Sequence, residues 1–222
     1  RFIVEDLTQT LDQDVPFSSL RVRRYARVIT SEDEALSAAA ANGAAVVVWG
    51  NYSEDLIELQ VQVGVLDGFT RLDMPRGTLE EAANVRVRLS DERRQSVAPQ
   101  VLGVLAVLHT ADGNGYELMR TVAILDQVAV DGGDIVGTGV AAHTQRAISS
   151  FFDSATALEE INEAIALDSG NPILFAVRSA LAFRQSQYDT AQADIGTAAD
   201  RGPDGWTMPL YLQGNFDLKG TD

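Results

Sequence analysis

The sequence predicts an α+β protein, with a small N-terminal α/β layer followed by an all-α region of helical hairpins. Two observations predict the layer: Ala44 to Tyr52 is a nearly continuous apolar run, and every second residue of Ile57 to Val65 is apolar. Both patterns are typical of β-strands. Beyond Ser90, clusters of Gly and Asp separate segments of helical length, and we expect no further strand there.

Composition restricts the class of protein. The 222 residues are 45% hydrophobic and 22% charged, as in ordinary globular chains, and the formal net charge is -15. That charge repels nucleic-acid phosphates, so we expect no nucleic-acid partner. The absence of cysteine excludes disulfides, thiol nucleophiles and cysteine-ligated metals. The apolar stretches are shorter than the roughly 20 residues of a membrane helix, so we predict no membrane span.

Two helices are predicted near the N-terminus. Apolar residues at every fourth position in residues 2–13 indicate a short amphipathic helix. Ser31 and Glu34 form a capping box, in which side chains accept hydrogen bonds from free backbone N–H groups, and Gly43 is a typical C-terminal stop. These signals predict a helix over residues 32–42.

Three strands are predicted around that helix. Leu20 to Val28 alternates apolar residues with arginines, which indicates a strand with a solvated arginine face. Because Ala44 to Tyr52 is almost wholly apolar, we expect it to be covered on both faces. Ile57 to Val65 pairs with it as a hairpin, covering the core on one side only, with its polar residues on the other: Glu58, Gln60 and Gln62.

The stretch from residue 69 to residue 98 is less regular. It contains turn signals, a short helix beginning near Thr78, and Val85 to Leu89, which fits either an edge strand or a helix end. We predict a small α/β module over residues 1–68, a connector over residues 69–98, and helical repeats over residues 99–222.

Small and apolar residues recur at an offset of 34 in the C-terminal half. Alanine allows close approach where two helices cross, and proline ends the second helix of a unit. A 34-residue period with this pattern resembles the tetratricopeptide repeat (TPR), whose unit is an antiparallel helix pair. The matching triplets are Ala157, Ile161 and Ala164, then Ala191, Ile195 and Ala198.

The resemblance covers about half of the chain. Two copies span residues 138–170 and 171–205, a degenerate copy spans residues 100–133, and Leu210 to Asn215 resembles the first helix of another. The first helices depart from the family, because Thr144-Gln145 and Arg178-Ser179 stand where the family has Leu-Gly. Residues 1–66, with the segment Val-Val-Val-Trp-Gly-Asn-Tyr, also resemble bacterial TolB-like α/β modules, which favours an extracytoplasmic location.

No motif predicts a catalytic residue, a cofactor or a metal. Gly137-x-Gly139-x-x-Ala142 imitates a dinucleotide fingerprint but lacks the surrounding βαβ unit. His109 and His143 have no Cys or carboxylate partner at metal-ligand spacing. This favours a role as helix-surface or core histidines over a role as metal ligands. An acidic run on one helix usually covers a solvated face rather than doing acid-base work. That run is Glu159, Glu160 and Glu163.

These observations predict a non-catalytic binding or scaffold segment of a larger bacterial protein, which uses TPR-like repeats to bind a protein or peptide. The chain begins at Arg1 inside a helical pattern and ends within a repeat, so we expect an excised segment. The residues expected to project from first helices toward the partner are His143, Arg146, Ser150 and Arg184.

Two other functions stay open. A sensory or regulatory region of a membrane-anchored or kinase-linked protein would bind a small ligand in the α/β layer, and a pocket near Trp49 and Tyr25 would favour it. An enzyme would require a cleft with converging acids or a bound metal.

Overall fold

The computed structural model describes residues 4–5, 7–9, 21–52, 57–90, 95–128 and 132–219. The helices are α1 (Glu32–Asn42), α2 (Arg76–Ala83), α3 (Ala98–Ala111), α4 (Gly115–Val128), α5 (Val140–Ser149), α6 (Ser154–Leu167), α7 (Pro172–Arg184), α8 (Tyr188–Arg201) and α9 (Met208–Lys219). The strands are β1 (Val46–Tyr52), β2 (Ile57–Val63), β3 (Val85–Leu89) and β4 (Asp134–Val136). The α+β class is therefore confirmed.

Helix α1 occupies the range that its caps predict. The Ser31 side chain accepts a hydrogen bond from the Glu34 backbone N–H at 3.3 Å, and Gly43 ends the helix in the left-handed conformation at φ 60°. The Glu34 carboxylate accepts from the Thr30 backbone N–H at 2.7 Å, one residue earlier than a capping box requires. The predicted helix over residues 2–13 is described only in part, and its described residues 4–5 and 7–9 are helical.

The four strands form one antiparallel sheet in the order β1-β2-β3-β4. The predicted hairpin is confirmed, with Val48 opposite Val61. Leu59, Val61 and Val63 are buried on the core face of β2. On the opposite face Gln62 donates to Glu32 of α1 at 3.2 Å, so α1 covers part of the side expected to be open.

Three strand predictions are wrong. β1 is half-buried rather than covered on both faces, and it is an edge strand that pairs with β2 alone among the described strands. Residues 21–28 form no strand and are mostly exposed, since none of the strands described here pairs with their backbone. A strand does occur beyond Ser90: β4 pairs with β3, although its three residues are too few to show a period.

The predicted connector, residues 69–98, contributes regular structure to the fold. It contains α2 and β3, and β3 is a central strand with Val85, Val87 and Leu89 buried. Arg76, at the start of α2, donates to the backbone oxygens of Val63 and Gly64 at 2.9 Å each, which fixes α2 against the end of β2.

The helices beyond Ser90 follow one another as hairpins, α3 with α4, α5 with α6 and α7 with α8, followed by α9. Helix α5 packs against α2 and α3, and α7 packs against α3. Nine of the thirteen residues of α7 are buried in consequence. Helices α5 and α7 are therefore both packed against elements from earlier in the chain. Among the described helices, none is long and apolar enough to cross a membrane.

Arg178 and Ser179, one of the two pairs that depart from the TPR pattern, make polar contacts that join helices. Arg178 donates to both carboxylate oxygens of Asp194 at 2.7 Å and to Asn162 at 2.9 Å, so it links α7 to α8 and α6. This pairing raises the pKa of Arg178 above its ordinary value, against the opposing effect of burial. Ser179 donates to the Ala191 backbone oxygen at 3.0 Å. Leucine and glycine at these two positions would have no side-chain donor for either set of hydrogen bonds.

Replacing Asp194 by alanine tests the first of these contacts. Asp194 is 3% exposed, and its removal leaves the Arg178 guanidinium partly buried without its counter-charge. We expect the free energy of unfolding to fall by about 2–3 kcal/mol, measured by urea denaturation.

Asp200→Ala, at an exposed position of the same helix α8, is the matched control, and we expect it to change stability by less than about 0.5 kcal/mol. Equal losses in the two variants would show that the Arg178–Asp194 pair does not hold the hairpin together.

Candidate functional site

A polar pocket of about 340 Å³ lies where the sheet meets the α5–α6 hairpin. We call it the junction pocket. The N-terminal end of α3, the start of β4, the last turn of α5 and the first half of α6 form its walls. The polar side chains among its lining residues are Gln100, Asp134, Arg146, Ser149, Thr156 and Glu160, together with Ser150.

Two of the predicted partner-binding residues meet at Glu160. The His143 Nδ1 atom lies 2.6 Å from Glu160 Oε2, and Arg146 Nη1 lies 3.6 Å from the same oxygen. Arg146 also donates to the backbone oxygens of Ile135, at 3.1 Å, and Gly137. Arg146 thus links α5 to β4 and to α6. Its positive charge lies beside the carboxylate of Glu160.

The other two predicted residues lie apart from each other. Ser150 follows α5 directly and lines the junction pocket beside Arg146. Arg184 lies at the end of α7, with its guanidinium carbon 4.2 Å from the ring centroid of Phe152 and 5.2 Å from that of Phe151. The structure therefore brings His143, Arg146 and Ser150 to one site and places Arg184 at the tips of the hairpins.

Buried polar atoms without a hydrogen-bond partner accumulate at the contact between α3 and α5. All four such side-chain atoms among the described residues belong to these two helices: Gln100 Oε1 and His109 Nδ1 on α3, and Gln145 Oε1 and Ser149 Oγ on α5. Leaving a buried polar group unpaired costs about 1–3 kcal/mol. Gln100 and Ser149 are also among the residues that line the junction pocket.

The sequence did not identify Gln100 or Ser149 as pocket residues. It also did not identify Glu160 as the partner of His143 and Arg146. One signal was available for Gln100, which is the only strongly polar side chain in the first ten residues of an otherwise apolar helix. Glu160 stands in an acidic run whose other members, Glu159 and Glu163, are more exposed, and nothing in the run distinguishes it.

A second pocket, of about 480 Å³, lies between the start of α2 and the loops that precede α7 and α9. Its charged lining residues are Asp73, Glu81, Asp168 and Arg201. The Asn171 side chain closes one side by donating to the Thr78 backbone oxygen at 3.0 Å. The buried atoms that lack partners among the described residues do not belong to its lining.

The site expected for a sensory function, near Trp49 and Tyr25, has a different environment. Trp49 Nε1 donates to Gln62 Oε1 at 2.7 Å, and Tyr25 is 40% exposed. Neither side chain lines the junction pocket or the second pocket.

The two histidines play separate structural roles. No group of three or more His, Asp or Glu side chains with metal-binding proximity occurs in the part of the chain that the structure describes. His109 lies on α3 with its ring 5.6 Å from that of Phe69. Burial lowers the pKa of His109, and the nearby carboxylates of Glu117 and Asp112 oppose that shift.

His109 should make stability depend on pH. Because its pKa is lower in the folded than in the unfolded chain, the unfolded chain takes up the proton first as the pH falls. The stability present above pH 6.5, the ordinary histidine value, is therefore lost progressively as the pH falls from there toward the folded-state pKa.

We expect the midpoint of urea unfolding to fall less between about pH 7 and pH 5.5 in His109→Gln than in the unaltered chain. Equal pH dependence in the two proteins would contradict the assigned burial of this ring.

Comparison of the chain with family models, with curated proteins and with solved structures gives no significant match.

Proposed function

We propose that this chain is a non-catalytic binding segment whose helical hairpins hold a protein partner. The observation that carries the proposal is a row of aromatic side chains and one arginine across the hairpin tips. We call it the tip row, and it consists of Phe152, Phe183, Arg184, Tyr188 and Phe216.

The members of the tip row contact one another across three helices, α7, α8 and α9, and the α5–α6 turn. Phe183 and Phe216 have ring centroids 4.5 Å apart, and Tyr188 lies 5.8 Å from Phe183 and 6.0 Å from Phe216. Arg184 continues the row to Phe152 at 4.2 Å. The row thus joins the successive hairpins at one end of the stack.

The tip row is accessible to a partner. Phe152 is 39% exposed and Tyr188 is 45% exposed, and Arg184 is exposed as well. Aromatic residues and arginine are enriched among the residues that dominate protein–protein binding energies, because they bury large rigid surfaces and keep a polar end. Isolated exposed aromatics need no explanation, but a connected row is suited to binding.

The packing of α5 and α7 is the reason for placing the proposed binding surface at the hairpin tips. TPR-type scaffolds commonly bind along the inner face formed by their first helices. Here α5 packs against α2 and α3, and α7 packs against α3, which leaves less of these helices free for a partner. The recurrence of α8 at an offset of 34 from α6 supports the repeat interpretation, and the tip row is the exposed feature that the hairpins share.

Charge indicates what the partner carries. Arg184 is an exposed cation in a chain of net charge -15. A carboxylate on the partner can pair with its guanidinium while an apolar side chain covers Phe152 and Tyr188. We therefore propose a peptide segment that combines an acidic residue with an aromatic or large aliphatic one.

Peptide display against the folded chain tests this function. We expect the selected peptides to share an acidic residue next to an apolar one. Their dissociation constants, measured by fluorescence anisotropy, should rise at least about tenfold in Arg184→Ala and in Phe152→Ala, the size of effect typical of a residue that dominates an interface.

Leu210→Ala is the matched control, because Leu210 is 73% exposed on α9 and is not a member of the tip row. Circular dichroism of each variant checks that it is folded. Selection of no peptide, or a loss of binding in Leu210→Ala without one in Arg184→Ala, would contradict the proposal.

A further inference from the structure

We propose that residues 21–28 form a processing site, at which an endopeptidase specific for paired arginines cleaves between Arg24 and Tyr25. The segment reads Arg-Val-Arg-Arg-Tyr-Ala-Arg-Val. It contains none of the tip-row residues, so the inference is independent of the proposed function. Cleavage here would separate the N-terminal residues, among them the buried Leu7, from α1 and all that follows it.

The backbone of this segment is available to a protease. Residues 21–28 form neither helix nor strand, and they make no backbone hydrogen bond to another described residue. Seven of the eight are exposed, while Val22 is half-buried against the core. Exposed irregular segments are preferred sites of proteolytic cleavage, because an endopeptidase binds its substrate as an extended strand. Among these eight residues, only the Val22 side chain has to be released from its packing.

The arginines occupy the positions that give such an enzyme its specificity. Arg24, Arg23 and Arg21 are the first, second and fourth residues before the bond. A guanidinium binds a carboxylate through paired hydrogen bonds, so acidic subsites at these three positions select this spacing. The chain has one other arginine pair, at residues 93–94, but Asp91 stands at the fourth position there, where an acidic subsite repels it.

The guanidinium groups of the segment are free to be recognised. None of the four arginines in residues 21–28 forms an ion pair with a described residue. By contrast, Arg88 pairs with Glu58, and its backbone belongs to the central strand β3. A protease subsite needs only the local positive charge, whereas nucleic acid or an anionic membrane meets the net charge of -15.

The proposed reaction is hydrolysis of one peptide bond. The bond between the Arg24 carbonyl carbon and the Tyr25 nitrogen breaks, and water supplies a hydroxyl group to the carbon and a proton to the nitrogen. The cleaved chain keeps α1 intact, because its capping bonds, from Thr30 to Glu34 and from Glu34 to Ser31, lie beyond the cut.

Furin, a serine endopeptidase that requires arginine at the first and fourth positions before the bond, is the probe, and the folded chain is its substrate. We expect one early cut, between Arg24 and Tyr25, identified by mass spectrometry of the two products. The rate should be similar to that of a synthetic peptide of residues 21–28, because little local opening is needed before cleavage.

Arg21→Gln and Arg24→Gln separate recognition from exposure, since each removes one exposed guanidinium and should leave the melting temperature unchanged. We expect kcat/KM for furin to fall at least about tenfold in each variant, the effect of losing hydrogen bonds to a charged group. Trypsin, which requires arginine or lysine only at the first position, should still cut the segment in Arg21→Gln.

Arg27→Gln is the matched control, because Arg27 is also exposed but lies after the bond, and furin should cut this variant as it cuts the unaltered chain. Three results would each overturn the proposal: a first cut after Arg94, a folded chain that resists furin while the peptide is cut, or equal rates in Arg24→Gln and Arg27→Gln.

Discussion

The burial of helix α3 is the constraint on which the rest of this structure depends. Thirteen of its fourteen residues are buried, with His109 as the exception. The helix contacts β1 and β2 on one side and α2, α4, α5 and α7 on the others. A helix that is apolar on all sides is stable in water only when neighbours surround it. The sheet and the hairpins therefore share one hydrophobic core, whose buried members extend along the chain from Leu7 to Leu212.

This shared core determines which surfaces are left for binding. Since α5 packs against α2 and α3, and α7 against α3, the aromatic and cationic side chains at the hairpin tips are an exposed feature that successive hairpins share. The same packing leaves Gln100 Oε1 and Ser149 Oγ without a hydrogen-bond partner among the described residues, on side chains that line the junction pocket. The loop before α9 attaches to this core through Trp206, whose Nε1 donates to the Thr110 backbone oxygen at 2.9 Å.

Local signals in the sequence predicted the parts of the fold that depend on near neighbours. The range of α1 follows from Ser31 and Gly43, and the β1–β2 hairpin follows from alternation. Features that depend on contacts between distant parts of the chain could not be predicted from local sequence patterns. The strand order places β1 at an edge of the sheet, and β4 forms only because β3 is there to pair with it. Of the four predicted site residues, Arg146 and Ser150 line the junction pocket, and His143 contacts its lining residue Glu160. Gln100 reaches the same pocket from a helix 33 residues before Gly133, which no local pattern reveals.

Equilibrium unfolding with the two tryptophans as separate probes tests the shared core most directly. Trp49 lies in the edge strand of the sheet and Trp206 in the loop before α9, and the chain has no other tryptophan. In Trp49→Phe and Trp206→Phe the remaining indole reports on one side of α3. A single core predicts that, within each variant, the fluorescence and far-ultraviolet circular dichroism transitions coincide in urea. A fluorescence transition that is complete before the loss of helix begins, in either variant, would show that the sheet and the hairpins unfold independently.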